Sequence, residues 1–521
     1  MKKKWMVLGI FLAISLITIV QARFIVHDPD KNLDVEVNGT GLVISDGRTA
    51  TGILTGTSTD TKPTNVPVGT RFIETDTDKM YWWDGVDWSL VAGSGVSSSG
   101  SGGGNYSLAT YIVSTNPNDD ADFIVDGVDD QVEINQAIQQ CTGTEYCMIL
   151  LLNGTYYLNN SINITVDKVI LKGQNAKLIY RNGFHAIYVN SNYVKIDSIF
   201  INNTDCALDI SGSSNGIRFD GASHFEVANS EIWCTGSDAI YGSYAEPGFI
   251  HDNKIFSQKG RYGAIHPHGQ HEWVITDNYV YDSNNHCVRH GWIIANNICV
   301  NSGDDGTIHG GDDGSIIANN YIYNTDKAFA IRAWQNNTVI IGNRIDLTRS
   351  GNTYAYGDIY GIYVGGKTSS SPLSNIVVSG NVISNIEGAG IYLTTVERAV
   401  VSDNILVNVG YEGDDNAIML VNSTNIIVTN NMVFDDGVNP PLYGVADNGT
   451  SDYNRFFENM IFGVANGKYL VAAHTYADEY KYTSLPTDGF SVSGVPVWFN
   501  DGTGDYLAFW NGTAWVKTAF S

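Results

Sequence analysis

Basic charge is what this sequence has least of. In 521 residues, 29 Lys and Arg stand against 55 Asp and Glu, a formal net charge of -26. So acidic a chain resists close approach to nucleic acid phosphates and to anionic membranes, and its one basic run is Lys2 to Lys4. Nucleic acid is therefore not an expected partner. Cysteine is also scarce, six residues with no C-x-x-C spacing, which removes the usual paired ligands of a structural zinc site. An even number permits disulfides outside the cell, and Cys141 with Cys147, separated by a short loop, is the pair expected to close. The apolar run from Trp5 to Val20 has 16 residues, short of the about 20 that a membrane span needs.

That run follows three Lys and precedes Val20-Gln21-Ala22, small residues placed for cleavage, so residues 1–22 read as a secretory signal. Retained, the same segment would be an anchor, and a membrane enters as a partner only in that case. Ten N-x-S/T sequons, from Asn38 to Asn511, suit an exported glycoprotein, although an Asn- and Thr-rich chain also makes sequons by composition. Abundant Gly, 55 residues, with Asn, Ser and Thr, points to an extended or multi-domain β protein. SGSGGG at 99–104 cannot pack, so 99–107 is expected to be a linker. One pattern occurs on both sides of the central region, FIETDTDKMYWWDGVDW (Phe72 to Trp88) and FNDGTGDYLAFWNGTAW (Phe499 to Trp515), aligned without a gap. Asp-Gly and Asn-Gly between aromatic strands are hairpin turns. Small β modules are expected at 23–98 and 467–521, around a central domain at 108–466. Such modules resemble those of phage and archaeal-virus appendages and exported surface proteins.

The central domain repeats apolar-x-x-Asn-x-apolar: IHDNKI (Asn253), ITDNYV (Asn278), IANNIC (Asn297), IANNYI (Asn320), and on to FFENMI (Asn459), with Ser230 standing in the first place. Spacings of 19 to 38 residues, mostly near 23, mean stacked supersecondary units, and Ile/Val-rich short strands make them coils of a β solenoid. Stacked coils bring equivalent residues about 4.8 Å apart, so the Asn amides are expected to bond up a ladder inside a turn.

Ahead of the repeats, DADFIVDGVDDQVEINQAIQQC followed by MILLLNGTYYLNNSINITVDKVILKGQNAKLI resembles the first coils of the pectate-lyase-like right-handed parallel β-helix superfamily. The resemblance covers about 110–465 and implies an all-β solenoid. It also implies a short capping helix that begins at the acidic stretch, with Val132, Ile134, Ala137 and Ile138 on one face. It leaves chemistry open, since that superfamily holds lyases, hydrolases, epimerases, tailspikes and inert surface proteins.

A second strand precedes most ladder Asn by eleven or twelve residues, and alternation about its inward Ile or Val sends the next side chain outward. The expected result is an exposed column Tyr241, His266, Arg289, His309, Arg332, Tyr363 and Tyr392. Four cations so stacked repel one another, a cost that points to a ligand. Acidic turns lie nearby at Asp238, Glu272, Asp304, Asp305, Asp312, Asp313 and Asp326, with His268, His271, His286 and His290 in neighbouring positions. A His/Arg/Asp/Tyr groove suits a polysaccharide or cell-surface glycan.

Three sharper readings stand beside binding. A lyase would use Arg289 or Arg332 as base, with Asp304, Asp305, Asp312 or Asp313 holding Ca²⁺ as cofactor. A hydrolase finds pieces of the polygalacturonase set in NTD (Asn203 to Asp205), GDD (Gly303 to Asp305) and IHG (Ile308 to Gly310), but NTD lies about four coils away and no R-I-K follows. A transition metal could take His266, His268 and His290. The expected protein is an extracellular, cell-surface or virion-surface adhesin or appendage that binds carbohydrate. A polysaccharide lyase or glycosidase and a structural subunit are the alternatives, and homo-oligomerisation stays open.

Overall fold

The structure is a computed structural model. It describes residues 109–477 except 142–145, 208–213, 260–261, 270–271, 303–305, 312, 325–328, 348–358, 366–370, 411–414, 436–439 and 472–474, and toward the two ends little beyond strand backbone. Residues 1–22, read as a secretory signal, and 99–107, read as a linker, lie outside the described residues. Two compact units result, Met1–Ser107 and Leu108–Ser521.

The first unit holds an antiparallel sheet of Phe24–Asp28, Leu33–Asn38 and Gly41–Ser45. It also holds a four-stranded sheet of Ile53–Gly56, Arg71–Glu74, Lys79–Trp83 and Trp88–Ala92. The second unit ends in a sheet of the same order, Lys481–Tyr482, Pro496–Asn500, Asp505–Trp510 and Trp515–Ala519. In both, the first pair is parallel and the rest antiparallel, and Trp83 opposes Trp88 as Trp510 opposes Trp515. The duplicated pattern thus folds twice into one topology.

Between these sheets the chain winds as a parallel β-helix whose coils visit three sheets of 16, 13 and 13 strands in turn. Strands of mostly three to seven residues carry one or two inward β-branched side chains each, which pack well on a pleated surface. In the third sheet Ile265, Val288, Ile308 and Ile331 face one another from coil to coil, each wholly buried. Such aliphatic stacks are the core.

The turn from first to second sheet carries the Asn ladder. Asn253 Nδ2 donates to Asn278 Oδ1 at 3.0 Å, Asn278 to Asn297 at 3.0 Å, and the series continues to Asn431 with Asn459 at 2.9 Å. Each ladder Oδ1 also accepts the preceding ladder residue's backbone N–H, as Asn343 Oδ1 does from Asn320 at 2.9 Å. Before every ladder residue stands one of positive φ, Asp252 at 55°, Asn296 at 56° and Gly342 at 66° among them. Asn, Asp and Gly tolerate this left-handed turn at least cost.

A helix, Gln131–Gln139, packs against Tyr111–Ser114, Phe123–Ile124 and Ile162–Ile164 at one end of the solenoid. Its buried face is Gln131, Ile134, Ala137 and Ile138; Val132, expected there, is 42% exposed. At the other end the coils run past the expected boundary at 466, with Gly467–Leu470 in the third sheet and Tyr476–Ala477 in the first. Disulfides join Cys141 to Cys147, Cys206 to Cys234, and Cys287 to Cys299.

Candidate functional site

The outward column forms on the third sheet. Tyr241 opposes His266, Arg289 opposes His309, His309 opposes Arg332, Arg332 opposes Tyr363, and Tyr363 opposes Tyr392. It also runs backward through Arg218 to Tyr188. These two were overlooked because the Asn ladder, which set the register, begins only at Ser230, yet the inward Ile217 and Ile187 before them carry the same alternation.

The column is not the exposed row of four cations that alternation suggested. His266 and His309 are each 1% exposed, because their rings lie under other outward side chains. His266 sits within 5.2 Å of the Tyr241 ring, 5.3 Å of Tyr262, 5.8 Å of His268 and 6.0 Å of His290, centre to centre. His309 lies 4.0 Å from Trp334, 5.2 Å from His286 and 5.5 Å from His290. Burial, reinforced by Arg289, pushes the His266 imidazolium pKa down against the pull of Asp238. Burial and neighbouring histidines push His309 well below the usual range. His286, whose Nδ1 meets the Gly306 carbonyl, is lowered to about 3, again by burial first. From Tyr241 to Tyr392 the column therefore presents two permanent cations, Arg289 and Arg332, among neutral imidazoles, with Arg218 further back paired to Asp220 at 3.2 Å, and the repulsion is smaller than expected.

Both guanidiniums rest on rings. Arg332 Cζ lies 4.4 Å from the Trp334 ring centre, 5.1 Å from Phe329 and 5.7 Å from Tyr363, and Arg289 Cζ lies 5.0 Å from Tyr262. Such contact holds the planar guanidinium fork in place. Beyond Arg332 the surface becomes a platform: Tyr363 stacks on Tyr392 at 5.5 Å with 12° between planes, and Tyr360 lies 4.8 Å from Tyr392. Trp334 was legible as the next outward position after Arg332, just past the end of its strand; Tyr262, before its strand, carried no such signal.

His266 has a fixed partner. Its Nδ1 lies 3.2 Å from Asp238 Oδ2, while Asp238 Oδ1 accepts the Gly263 N–H at 3.0 Å. The carboxylate therefore holds the Nδ1–H tautomer, leaving Nε2 as an acceptor with no hydrogen-bond partner among the described residues. Both ring nitrogens of His309 are likewise without one. His268 is exposed and stacks on Tyr241 at 6.1 Å.

Of the carboxylates set aside for Ca²⁺, Asp304, Asp305 and Asp312 lie outside the described residues, and Asp313 Oδ1 accepts from Asn337 Nδ2 at 3.4 Å. Among the described residues no three His, Cys, Asp or Glu side chains could hold a metal ion together, so His266, His268 and His290 do not form a metal centre. Asn203 of NTD ends a second-sheet strand and IHG lies on the third sheet several coils away, so these two polygalacturonase pieces do not converge, and GDD lies outside the described residues.

Residues 263–433 match the family model for a right-handed beta helix region. The chain carries a right-handed parallel β-helix. No curated protein matches it in sequence. Among solved structures, the β-helix is similar to the A-module of the Azotobacter vinelandii mannuronan C-5 epimerase AlgE6, with 15% identity over 68% of this chain and 95% of that one and a TM-score of 0.44. The Streptococcus pneumoniae surface protein and adhesin PfbA gives 14% identity over 67% and 95%, with a TM-score of 0.45. The alginate lyase AlyF-OU02, in complex with G6, gives 13% over 69% and 90%, with a TM-score of 0.47. At these identities and scores the likeness does not reach chemistry.

Proposed function

We propose that this chain is an exported surface or virion-type glycoprotein, an adhesin or appendage whose third sheet binds an acidic polysaccharide. One observation carries the reading: two ring-backed guanidiniums, Arg289 and Arg332, stand in line with the half-buried Tyr363 and Tyr392. A uronate offers a carboxylate for the guanidinium fork and an apolar ring face for stacking. Three disulfides fit an oxidising compartment, and the paired terminal sheets fit attachment or assembly. The test is binding of the whole chain to an array of polyuronates and neutral glycans at two salt concentrations. Retention of acidic glycans that weakens with salt supports the reading, and indifference to every glycan overturns it.

A lyase is the second reading, favoured by the Asp238–His266 pair. Arg289 and Arg332, cationic as guanidiniums are and oriented by rings, suit carboxylate binding better than the base role expected from sequence, whereas His266 is a neutral acceptor oriented by a carboxylate. Its covering side chains Tyr262 and His268 are themselves exposed, so a change of rotamer would uncover Nε2. The ultraviolet absorbance of unsaturated uronate ends, followed with and without added Ca²⁺, separates the readings. Product made by the wild type and lost in His266→Gln would make the groove catalytic; a bound glycan left intact would keep it a binding site.

A further inference from the structure

The outer face of the second sheet plays no part in the groove, and it is unusually apolar. Over its last four coils the outward positions are Val382, Ile405, Met432 and Met460 in one column and Ser384, Val407, Phe434 and Phe462 in the column beside it. Val382, Ile405, Met432, Met460, Phe434 and Phe462 are 37–56% exposed, Ser384 and Val407 are half-buried, and no charged residue interrupts them. Taking about 200 Å² for a large side chain, they present about 500 Å² of contiguous apolar surface, toward the upper end for a monomer. Tyr281, Ile298 and Tyr323, further back in the same two columns, extend this to about 700 Å², close to the roughly 800 Å² per partner of a stable interface. Within the coils of the stripe the sequons lie off it, since Asn336 and Asn422 follow third-sheet strands and Asn448 ends one; Asn202 stands in the second column three coils before Tyr281.

The one charged coil within the stripe shows what fits it. Arg344 lies in the first column and Asp346 in the second, two residues apart on one strand. A two-fold axis running along the solenoid in the contact plane sets the first column of each copy against the second column of the other at the same coil. Arg344 then meets Asp346 of the second copy, Met432 meets Phe434, and Met460 meets Phe462. A two-fold contact requires this self-complementarity. Between chains of net charge -26, a neutral stripe is also where like-charged copies approach most easily. From these relations we infer that the outer face of the second sheet binds a second copy of this chain, the two solenoids side by side and pointing the same way.

The mass of the full-length chain in solution tests this, by sedimentation or light scattering across a dilution series. The expected species is a dimer. Phe434→Asp combined with Met460→Asp changes only exposed positions and is expected to raise the dissociation constant a hundredfold or more, on the order of what loss of central anchors does elsewhere. Met432→Lys is the second variant should that one misfold, with circular dichroism and the melting point as the check. Arg344→Asp and Asp346→Arg are each expected to weaken the dimer about tenfold, and the double exchange to restore it. A wild-type monomer, a trimer, a dimer that the apolar variants leave intact, or two charge variants whose losses add rather than cancel would each overturn the inference.

Discussion

Asp238 Oδ2 lies 3.2 Å from His266 Nδ1, and both side chains are about 2% exposed. The same carboxylate accepts the Gly263 N–H, so it joins two coils of the third sheet. Asp238→Ala strands that N–H and the imidazole Nδ1–H in a dry site, each at a cost of about 1–3 kcal/mol. Asp238→Asn can still accept from one of them and is expected to lose about half as much. Chemical denaturation of both variants checks the order; an alanine variant as stable as the wild type would contradict the pairing.

Three buried imidazoles give the fold an acid weakness. His266, His286 and His309 hold lowered pKa values in the folded chain, chiefly by burial, against about 6.5 when unfolded. Below about 6.5 the unfolded chain binds protons that the folded one refuses, so stability present above that pH is lost as pH falls. For His286, which faces His266, Arg289 and Arg332, the window runs from about 6.5 down to about 3. The loss is at most about 1.4 kcal/mol per histidine per pH unit. The denaturation midpoint is therefore expected to fall from pH 7 to pH 5, and to fall less steeply in His286→Asn. Equal slopes would mean that His286 takes up its proton while folded.

Inside the solenoid, Asn320 holds four partners. Its Oδ1 accepts from the Asn297 backbone N–H and Nδ2, and its Nδ2 donates to the Ile294 carbonyl and Asn343 Oδ1. Asn320→Ala strands the buried Asn297 backbone N–H and removes the donor to the Ile294 carbonyl, while Asn343 Oδ1 keeps the residue 320 backbone N–H and Asn297 Nδ2 keeps the Ile275 and Ala295 carbonyls, an expected loss of about 1–3 kcal/mol. Asn320→Ser is expected to cost less, because Ser230 already fills a ladder position and bonds the Ala228 carbonyl at 3.0 Å. Calorimetric melting of the two variants gives the comparison, and equal losses would deny the ladder its specificity for a hydrogen-bonding side chain.

The coils were legible because two signals recur at one period: the inward Ile or Val, and the Asn that must satisfy a turn amide. A third signal, Asn, Asp or Gly just before the ladder residue, was present and unread; it marks the positive φ that turns the chain into the second sheet. Alternation placed His266 and His309 on the outer face correctly, but facing outward does not mean exposed. Period-two logic treats each strand alone, whereas coverage here comes from rings on neighbouring coils, as Trp334 covers His309. The Asp238–His266 pair was out of reach for the same reason, since it joins residues 28 positions apart through a turn whose geometry no local pattern encodes.

Arg332 is where the binding proposal is most exposed to test. Its guanidinium lies 4.4 Å from Trp334, and the side chain is only partly buried, so Arg332→Lys and Trp334→Ala are expected to shift stability by no more than about 1 kcal/mol. Lys keeps the charge but loses the planar fork and the stacking, while Trp334→Ala keeps the fork and removes its support. If a uronate carboxylate is held bidentately, Arg332→Lys is expected to weaken binding about tenfold and Arg332→Ala about a hundredfold, because a charge-assisted hydrogen bond contributes about 1.5–3 kcal/mol. Trp334→Ala is expected to fall between the wild type and Arg332→Ala, chiefly through faster dissociation. Calorimetric titration with an oligouronate measures all three. Affinities equal to wild type in the Lys and Trp variants would reduce the guanidinium to a diffuse charge, and an unchanged Arg332→Ala would remove the residue from the site altogether.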